Sequence, residues 1–198
     1  MELNKYKTIN GPSTGDFRDR GSKFLAYAWP VNDVIDIKEQ LQALKREHPK
    51  AVHHCYAWRL GTDGTQFRAN DDGEPAGSAG KPIMGQIDSF GLTNILVVVV
   101  RYFGGTLLGI PGLINAYKTA TLMALEQAGE VERWVEQKVK LTFDYPVMGE
   151  VLYILKQHEA NITQQDQGLF CTYEVSIPIP HMDKILKKLG EVRSVKVE

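Results

Sequence analysis

Apolar residues change their spacing several times along this chain. Phe24, Ala26 and Ala28 alternate with Leu25, Tyr27 and Trp29 up to Pro30, and a period of two predicts an extended segment. From Val34 the period lengthens. Val34, Ile37, Leu41 and Leu44 recur at helical spacing, with Asn32 expected as the N-cap and Pro49 closing the region. Val52 to Leu60 returns to alternation. Val52, His54, Tyr56, Trp58 and Leu60 share one face of the expected strand; His53, Cys55, Ala57 and Arg59 share the other. Gly61-Thr62-Asp63-Gly64 reads as a turn.

A polar, glycine-rich stretch from Asp71 to Pro82 comes next, and a helix carrying Ile83, Met84 and Ile87 is expected within or just after it. Ile95 to Val100 is apolar at every position. Without alternation, such a strand belongs in the middle of a sheet with both faces covered. It runs into Arg101-Tyr102-Phe103-Gly104-Gly105. After Gly109-Ile110-Pro111-Gly112 a helix to about Ala128 is expected, with Leu113, Tyr117, Ala120, Ala124 and Ala128 as its buried stripe. Glu130 to Arg133 reads as a polar connector, so the domains are expected to be residues 1–133 and 134–198. The last third reads as strand (Lys138 to Tyr145), helix (Pro146 to His158, with Val147, Val151, Ile154 and Leu155 inward), strand (Asn161 to Gln165) and hairpin turn (Asp166-Gln167-Gly168). A strand (Leu169 to Ile177), a helix (His181 to Leu189) and a closing strand (Val192 to Val197) follow. That β-α-β-β-α-β order is ferredoxin-like, and the fold class is α+β.

Charge narrows the partners. The formal net charge is -1 over 198 residues. Residues 1–133 hold 15 basic and 15 acidic side chains, and residues 134–198 hold 8 and 9. Neither part carries the basic excess of a non-specific nucleic-acid binder; an RNA partner would have to be met by a local patch. The two cysteines, Cys55 and Cys171, argue against a disulfide framework and for a reducing compartment. The N-terminus lacks a signal-peptide layout, and the longest apolar run is too short to span a bilayer. A cytoplasmic protein with no membrane partner is expected.

Candidate chemistry concentrates near residues 71 to 109. Gly80-Lys81 is not a phosphate loop, because a Walker A motif needs glycine where Pro75 stands and Ser or Thr where Pro82 stands. Gly104 and Gly105 join a buried strand to a helix, where glycine amides and a helix start favour anions; a tight turn is the plainer reading. Arg101 leaves an apolar strand and must be paired or reach solvent. Asp71, Asp72 and Glu74, or Asp16 and Asp19, could pair with it. Lys81, Arg101 and Lys23 could form one basic spot, with Ser78, Gly104 and Gly105 beside it. Asp71, Asp72 and Glu74 could instead hold a divalent ion, though neighbouring loop acids are more often simply solvated or cap a helix. His53 and Cys55 make only half a zinc site, so no metal and no cofactor are expected. Trp29, Trp58 and Tyr102 read as packing residues rather than base-stacking platforms. No spacing demands a nucleophilic triad.

The segment from Gly80 to Gly109 resembles the signature of the YigZ/IMPACT family: Gly80, Ile83-Met84, Ile87, Leu92, Val98-Val99, Arg101-Tyr102-Phe103-Gly104-Gly105 and Leu108-Gly109, in order. Ser22-Lys23-Phe24, His53-His54-Cys55-Tyr56-Ala57 and Asp71-Asp72-Gly73-Glu74-Pro75 also look like that family. The resemblance implies a ribosomal protein S5 domain 2-like domain followed by a ferredoxin-like one, a pairing similar to that ending elongation factor G. It implies that eukaryotic relatives regulate translation, using an additional N-terminal interaction domain that this chain is not expected to carry, so that their kinase-pathway role does not transfer. The expected function is non-enzymatic: contact with the ribosome, RNA or a translation factor, with a small-molecule substrate not expected. The alternative is an enzyme that takes a phosphorylated or nucleotide ligand on the glycine loops.

Overall fold

The computed structural model describes residues 4–198, which divide into two compact units: residues 6–133, and residues 134–198 together with residues 4 and 5. The first unit runs β1 (Lys5–Ile9), β2 (Ser13–Asp19), β3 (Ser22–Pro30), α1 (Val34–Glu47), β4 (His53–Leu60), β5 (Gln66–Asn70), α2 (Gly80–Ser89), β6 (Ile95–Tyr102), α3 (Gly109–Ala128) and β7 (Glu130–Trp134). Five strands form one sheet in the order β2-β3-β6-β4-β5, every neighbouring pair antiparallel. A separate two-stranded sheet pairs β1 with β7.

β6 occupies the centre because nothing in it from Ile95 to Val100 tolerates water. Val97 and Val99 join Phe24, Ala26, Cys55 and Ala57 in a core closed by α2 (Ile83, Ile87) and α3 (Leu113, Tyr117, Ala120). Val98 and Val100 turn the other way, onto Ile37 and Leu44 of α1. Each fully buried valine contributes about 1.5–3 kcal/mol. The sheet is therefore sandwiched between one helix and two, and the pattern-based faces of β3 and β4 stand as expected, except that Val52 precedes β4 and is exposed. Trp29, Trp58 and Tyr102 pack against the α1-side core.

Several local expectations need correction. The N-cap of α1 is Asp33, not Asn32: Asp33 Oδ1 accepts from the amides of Ile35 and Asp36. Val34 then sits in the first turn and is exposed. Glu130 to Arg133 is strand, not connector. β1, β2, β5 and β7 carried too little alternation to be read. β5, for instance, is Gln-Phe-Arg-Ala-Asn and largely exposed, so burial imposes no pattern on it.

His54 faces the α1 side, buried, with its Nε2 lacking a hydrogen-bond partner. Burial lowers its pKa from the ordinary 6.5, against the opposing pull of Asp72. Below that value the unfolded imidazole binds a proton that the folded one resists. Stability is therefore fully present above pH 6.5 and falls as the pH drops beneath it. Urea unfolding at a series of pH values should show this slope, and His54→Leu should flatten it. A part should remain, because burial lowers His158 in the second unit as well. An unchanged slope in the variant would count against a buried neutral His54.

The second unit contains β8 (Glu136–Phe143), α4 (Met148–Gln157), β9 (Asn161–Gln167), β10 (Cys171–Pro178), α5 (Met182–Glu191) and β11 (Lys196–Val197). Its antiparallel sheet has the order β11-β8-β10-β9. Leu141, Phe143, Tyr173, Val175 and Ile177 meet Val151, Ile154, Leu155, Ile185 and Leu189 of the two helices. The element order is the expected one, with differences at the element ends: the first strand is Glu136–Phe143, and a 3-10 turn (Tyr145–Val147) precedes α4. Asp166 and Gln167 belong to β9, and the turn is Gly168 to Phe170, with Leu169 exposed. The closing strand is only two residues long: Val192 caps α5 and the chain then turns through Ser194, at positive φ, before Lys196.

Candidate functional site

The loop between β5 and α2 is built around its acids. Asp71 Oδ1 accepts from the amides of Ala79 (3.0 Å) and Gly80 (2.8 Å), and Oδ2 accepts from Gly77 (2.9 Å). Asp71 thereby caps α2 from outside the helix, since Ala79 has no capping side chain. Burial disfavours its charge, but the three amides outweigh burial and its pKa lies below the ordinary carboxylate value. Asp72 takes a positive φ, accepts the His54 amide on Oδ2 (2.7 Å), and offers its carbonyl to His53 Nδ1 (2.7 Å). Ser78 Oγ donates to the Pro75 carbonyl at 2.6 Å. Fixed at both ends, the loop turns Glu74 inward.

Glu74 meets Arg101. The register places Phe24, Arg101 and His53 side by side on the face of the sheet that carries Cys55. Arg101 Nη1 donates to Glu74 Oε1 at 2.5 Å, and Tyr117 Oη donates to the same oxygen at 2.8 Å. The arginine is 6% exposed and the glutamate 8%. His53 Nε2 stands 3.8 Å from Glu74 Oε2. Its Nδ1 carries the proton, because a carbonyl can only accept. The guanidinium also lies over the rings of Phe24 and Phe103, at 5.4 and 5.7 Å. Cys55 Sγ is 2.9 Å from the Asp71 carbonyl and 3.3 Å from Tyr117 Oη. Burial pushes both the thiol and the phenol upward, so each keeps its proton at neutral pH. A buried protonated thiol is not a nucleophile.

Beside this pair lies a hollow of about 370 Å³, lined by Val52, His53, Glu74, Pro75, Arg101 and Phe103, and by Leu107 to Ile110 and Leu113. Its rim is apolar and open to solvent: Leu107 is 82% exposed, Ile110 53% and Phe103 48%.

The structure separates the residues expected to form one basic spot. Arg101 has its charge met by Glu74. Lys23 is opposite Tyr102 in the register, on the other face of the sheet, and lies 3.6 Å from Asp16. Lys81 lines a different hollow, with Phe67 and Met84. Ser78 is buried and turned into its own loop. Gly104 serves a close backbone approach: a Cβ there would lie 1.9 Å from the Gly21 carbonyl carbon. Gly105 takes φ +87° in open space. Of the three acids, Glu74 makes the ion pair, Asp71 the cap and Asp72 the brace. Among the described residues no group of three or more His, Cys, Asp and Glu could hold a metal ion. His53 and Tyr117, read only as sheet-face and stripe residues, proved to be part of the cluster. A hydroxyl in an otherwise apolar stripe needs an acceptor, and that was the available signal. Leu107 and Ile110, apolar residues between glycines, were the signal for the rim.

Together these features define a two-unit α+β protein whose first unit carries a neutralised, buried ion pair beneath an apolar hollow. The chain belongs to the IMPACT family: the Impact N-terminal domain model matches residues 20–125. The family member YigZ of Escherichia coli (strain K12) is 34% identical over 172 residues, covering 86% of this chain and 84% of that protein. A crystal structure of a protein described as hypothetical is 31% identical and superposes with a TM-score of 0.76 over 98% of this chain and 97% of its own. Yih1, described as a two-domain translational regulator, is 33% identical over 62% of this chain and 47% of its own, with a TM-score of 0.38. No helix among the described residues is long and apolar enough to cross a membrane.

Proposed function

We propose that this protein is a non-enzymatic, cytosolic binding protein of the translation machinery, and that the hollow beside Arg101 receives an apolar segment of a protein partner. The observation that carries this is the exposed rim of Phe103, Leu107 and Ile110 around a floor whose one guanidinium is matched to a carboxylate. A phosphate would find no uncompensated charge there, which disfavours both RNA and the nucleotide-enzyme reading at this site. In this reading Arg101 and Glu74 hold the floor, and Gly104 and Gly105 shape the rim; Lys81, Ser78 and Lys23 lie outside it. Family membership supports the translation setting, since the resemblance ties eukaryotic members to translational control; the loose superposition on Yih1 adds nothing to it. The element orders support reading residues 1–133 as S5 domain 2-like and residues 134–198 as ferredoxin-like.

Co-sedimentation with ribosomes and their bound factors tests the proposal. The wild-type chain should co-sediment. Leu107→Asp combined with Ile110→Asp should reduce binding at least about tenfold, because each charge would have to be desolvated in an apolar contact. Both side chains are exposed, so the unfolding midpoint should move by less than about 1 kcal/mol in stability. Equal binding by the variant would remove the hollow from the account.

A further inference from the structure

β5 is the outermost strand of the five-stranded sheet, paired only with β4. Among the described residues no other backbone pairs with its outer edge. An open edge is a template for another extended chain. Here the edge is bounded: α2 starts against its end, where a Cβ on Gly80 would lie 2.6 Å from the Asn70 nitrogen. That leaves Gln66 to Ala69 free.

Two further features stand beside this edge. A hollow of about 500 Å³ opens between β5 and α2, lined by Phe67, Arg68, Ala69, Lys81, Met84, Gly85 and Asp88. Phe67 is 61% exposed above it. Gly85 leaves its side of the hollow open, since a Cβ there would meet nothing within 4 Å. The charge around the hollow is also unbalanced. Asp88 is taken by Arg59, whereas neither Arg68 nor Lys81 has an ion-pair partner among the described residues.

From this we infer a second interaction surface, beyond the hollow at Arg101: the β5 edge accepts an extended acidic peptide segment as a sixth strand. The segment's backbone pairs with Gln66 to Ala69. Its side chains on one face are apolar and enter the β5–α2 groove beside Lys81, and the carboxylates between them lie on the other face with Arg68, which the register sets opposite Trp58. Strand addition reads alternate side chains in this way. A second copy of this chain fits less well, because antiparallel pairing of two β5 edges centred on residue 68 sets Arg68 against Arg68.

The test uses the whole chain and a synthetic peptide of about seven residues alternating glutamate with valine, with a lysine–valine peptide as control. The glutamate peptide should bind and should protect the amides of the Gln66 to Ala69 segment from hydrogen exchange; the lysine peptide should not. Arg68→Glu with Lys81→Glu should weaken binding at least about tenfold. Gly85→Leu should abolish it by filling the groove, and because the charge-reversal pair tests the same surface, the test survives a folding defect in that variant. Three results would overturn the inference. These are no binding of the glutamate peptide, binding without protection of those amides, and protection of the edge without peptide in a chain that sediments as a dimer, which would assign the edge to a second copy.

Discussion

Glu74→Gln should cost the first unit about 3–5 kcal/mol of stability, although it changes one oxygen for one nitrogen. The amide oxygen of glutamine can still accept from Tyr117 and from Arg101, so shape and hydrogen bonding are nearly kept. What is lost is the negative charge opposite a guanidinium that is 6% exposed. Arg101 Nε already has no hydrogen-bond partner, so the guanidinium has no second acceptor to compensate for the lost charge. Removing the second charge as well, with Arg101→Met in the Glu74→Gln background, should recover much of the loss, since a buried pair replaced as a unit is often close to neutral. Urea unfolding of the wild-type chain, both single variants and the double variant measures this directly. A Glu74→Gln cost below about 1 kcal/mol, the range of an exposed pair, would mean that water reaches the pair.

The second large effect is at Gly104. Its amide donates to Ser22 Oγ at 3.1 Å, which draws the loop after β6 against the turn between β2 and β3. An alanine Cβ would lie 1.9 Å from the Gly21 carbonyl carbon and 2.2 Å from the Ser22 nitrogen. Both obstacles are backbone, so no side chain can swing aside. Gly104→Ala should therefore cost at least about 3 kcal/mol, the upper end of overpacking effects. Gly105→Ala is the control. It has open space but φ +87°, and the left-handed conformation alone costs roughly 1–2 kcal/mol. Thermal unfolding of the two variants side by side should rank them in that order. The reverse order would show that the loop depends on backbone freedom rather than on close approach.

Much of the framework was legible because burial writes a period into the chain. The unbroken apolar run of β6 gave its central place, and the alternation of β3 and β4 gave their faces. Arg101 at the end of that run had to be paired or reach solvent, and the carboxylates that could pair with it included the right one. The sequence could not choose Glu74 over Asp16 or Asp71, because the choice depends on how the glycine-rich loop folds, and that is set by amide contacts to Asp71 and Asp72. Edge strands such as β2 and β5 stayed hidden for the opposite reason: β5 is largely exposed, and the inward face of β2 is Ser13, Gly15 and Phe17, too little apolar surface to write a pattern. Gly104 and Gly105 invited an anion-binding reading because glycine serves close approach, positive φ and ligand contact alike. Only the position of Gly21 shows which of these applies at Gly104.

Salt separates the proposed apolar protein contact at the hollow beside Arg101 from a phosphate contact. Co-sedimentation of the wild-type chain with ribosomes and their bound factors should be measured from about 50 to about 200 mM salt. Over that interval a protein held by several phosphate contacts loses about 10³–10⁵ in affinity. Contact through Phe103, Leu107 and Ile110 should lose less than about threefold, because burial of apolar surface releases no counterions. A loss of a hundredfold or more would contradict the account and return the binding to nucleic acid.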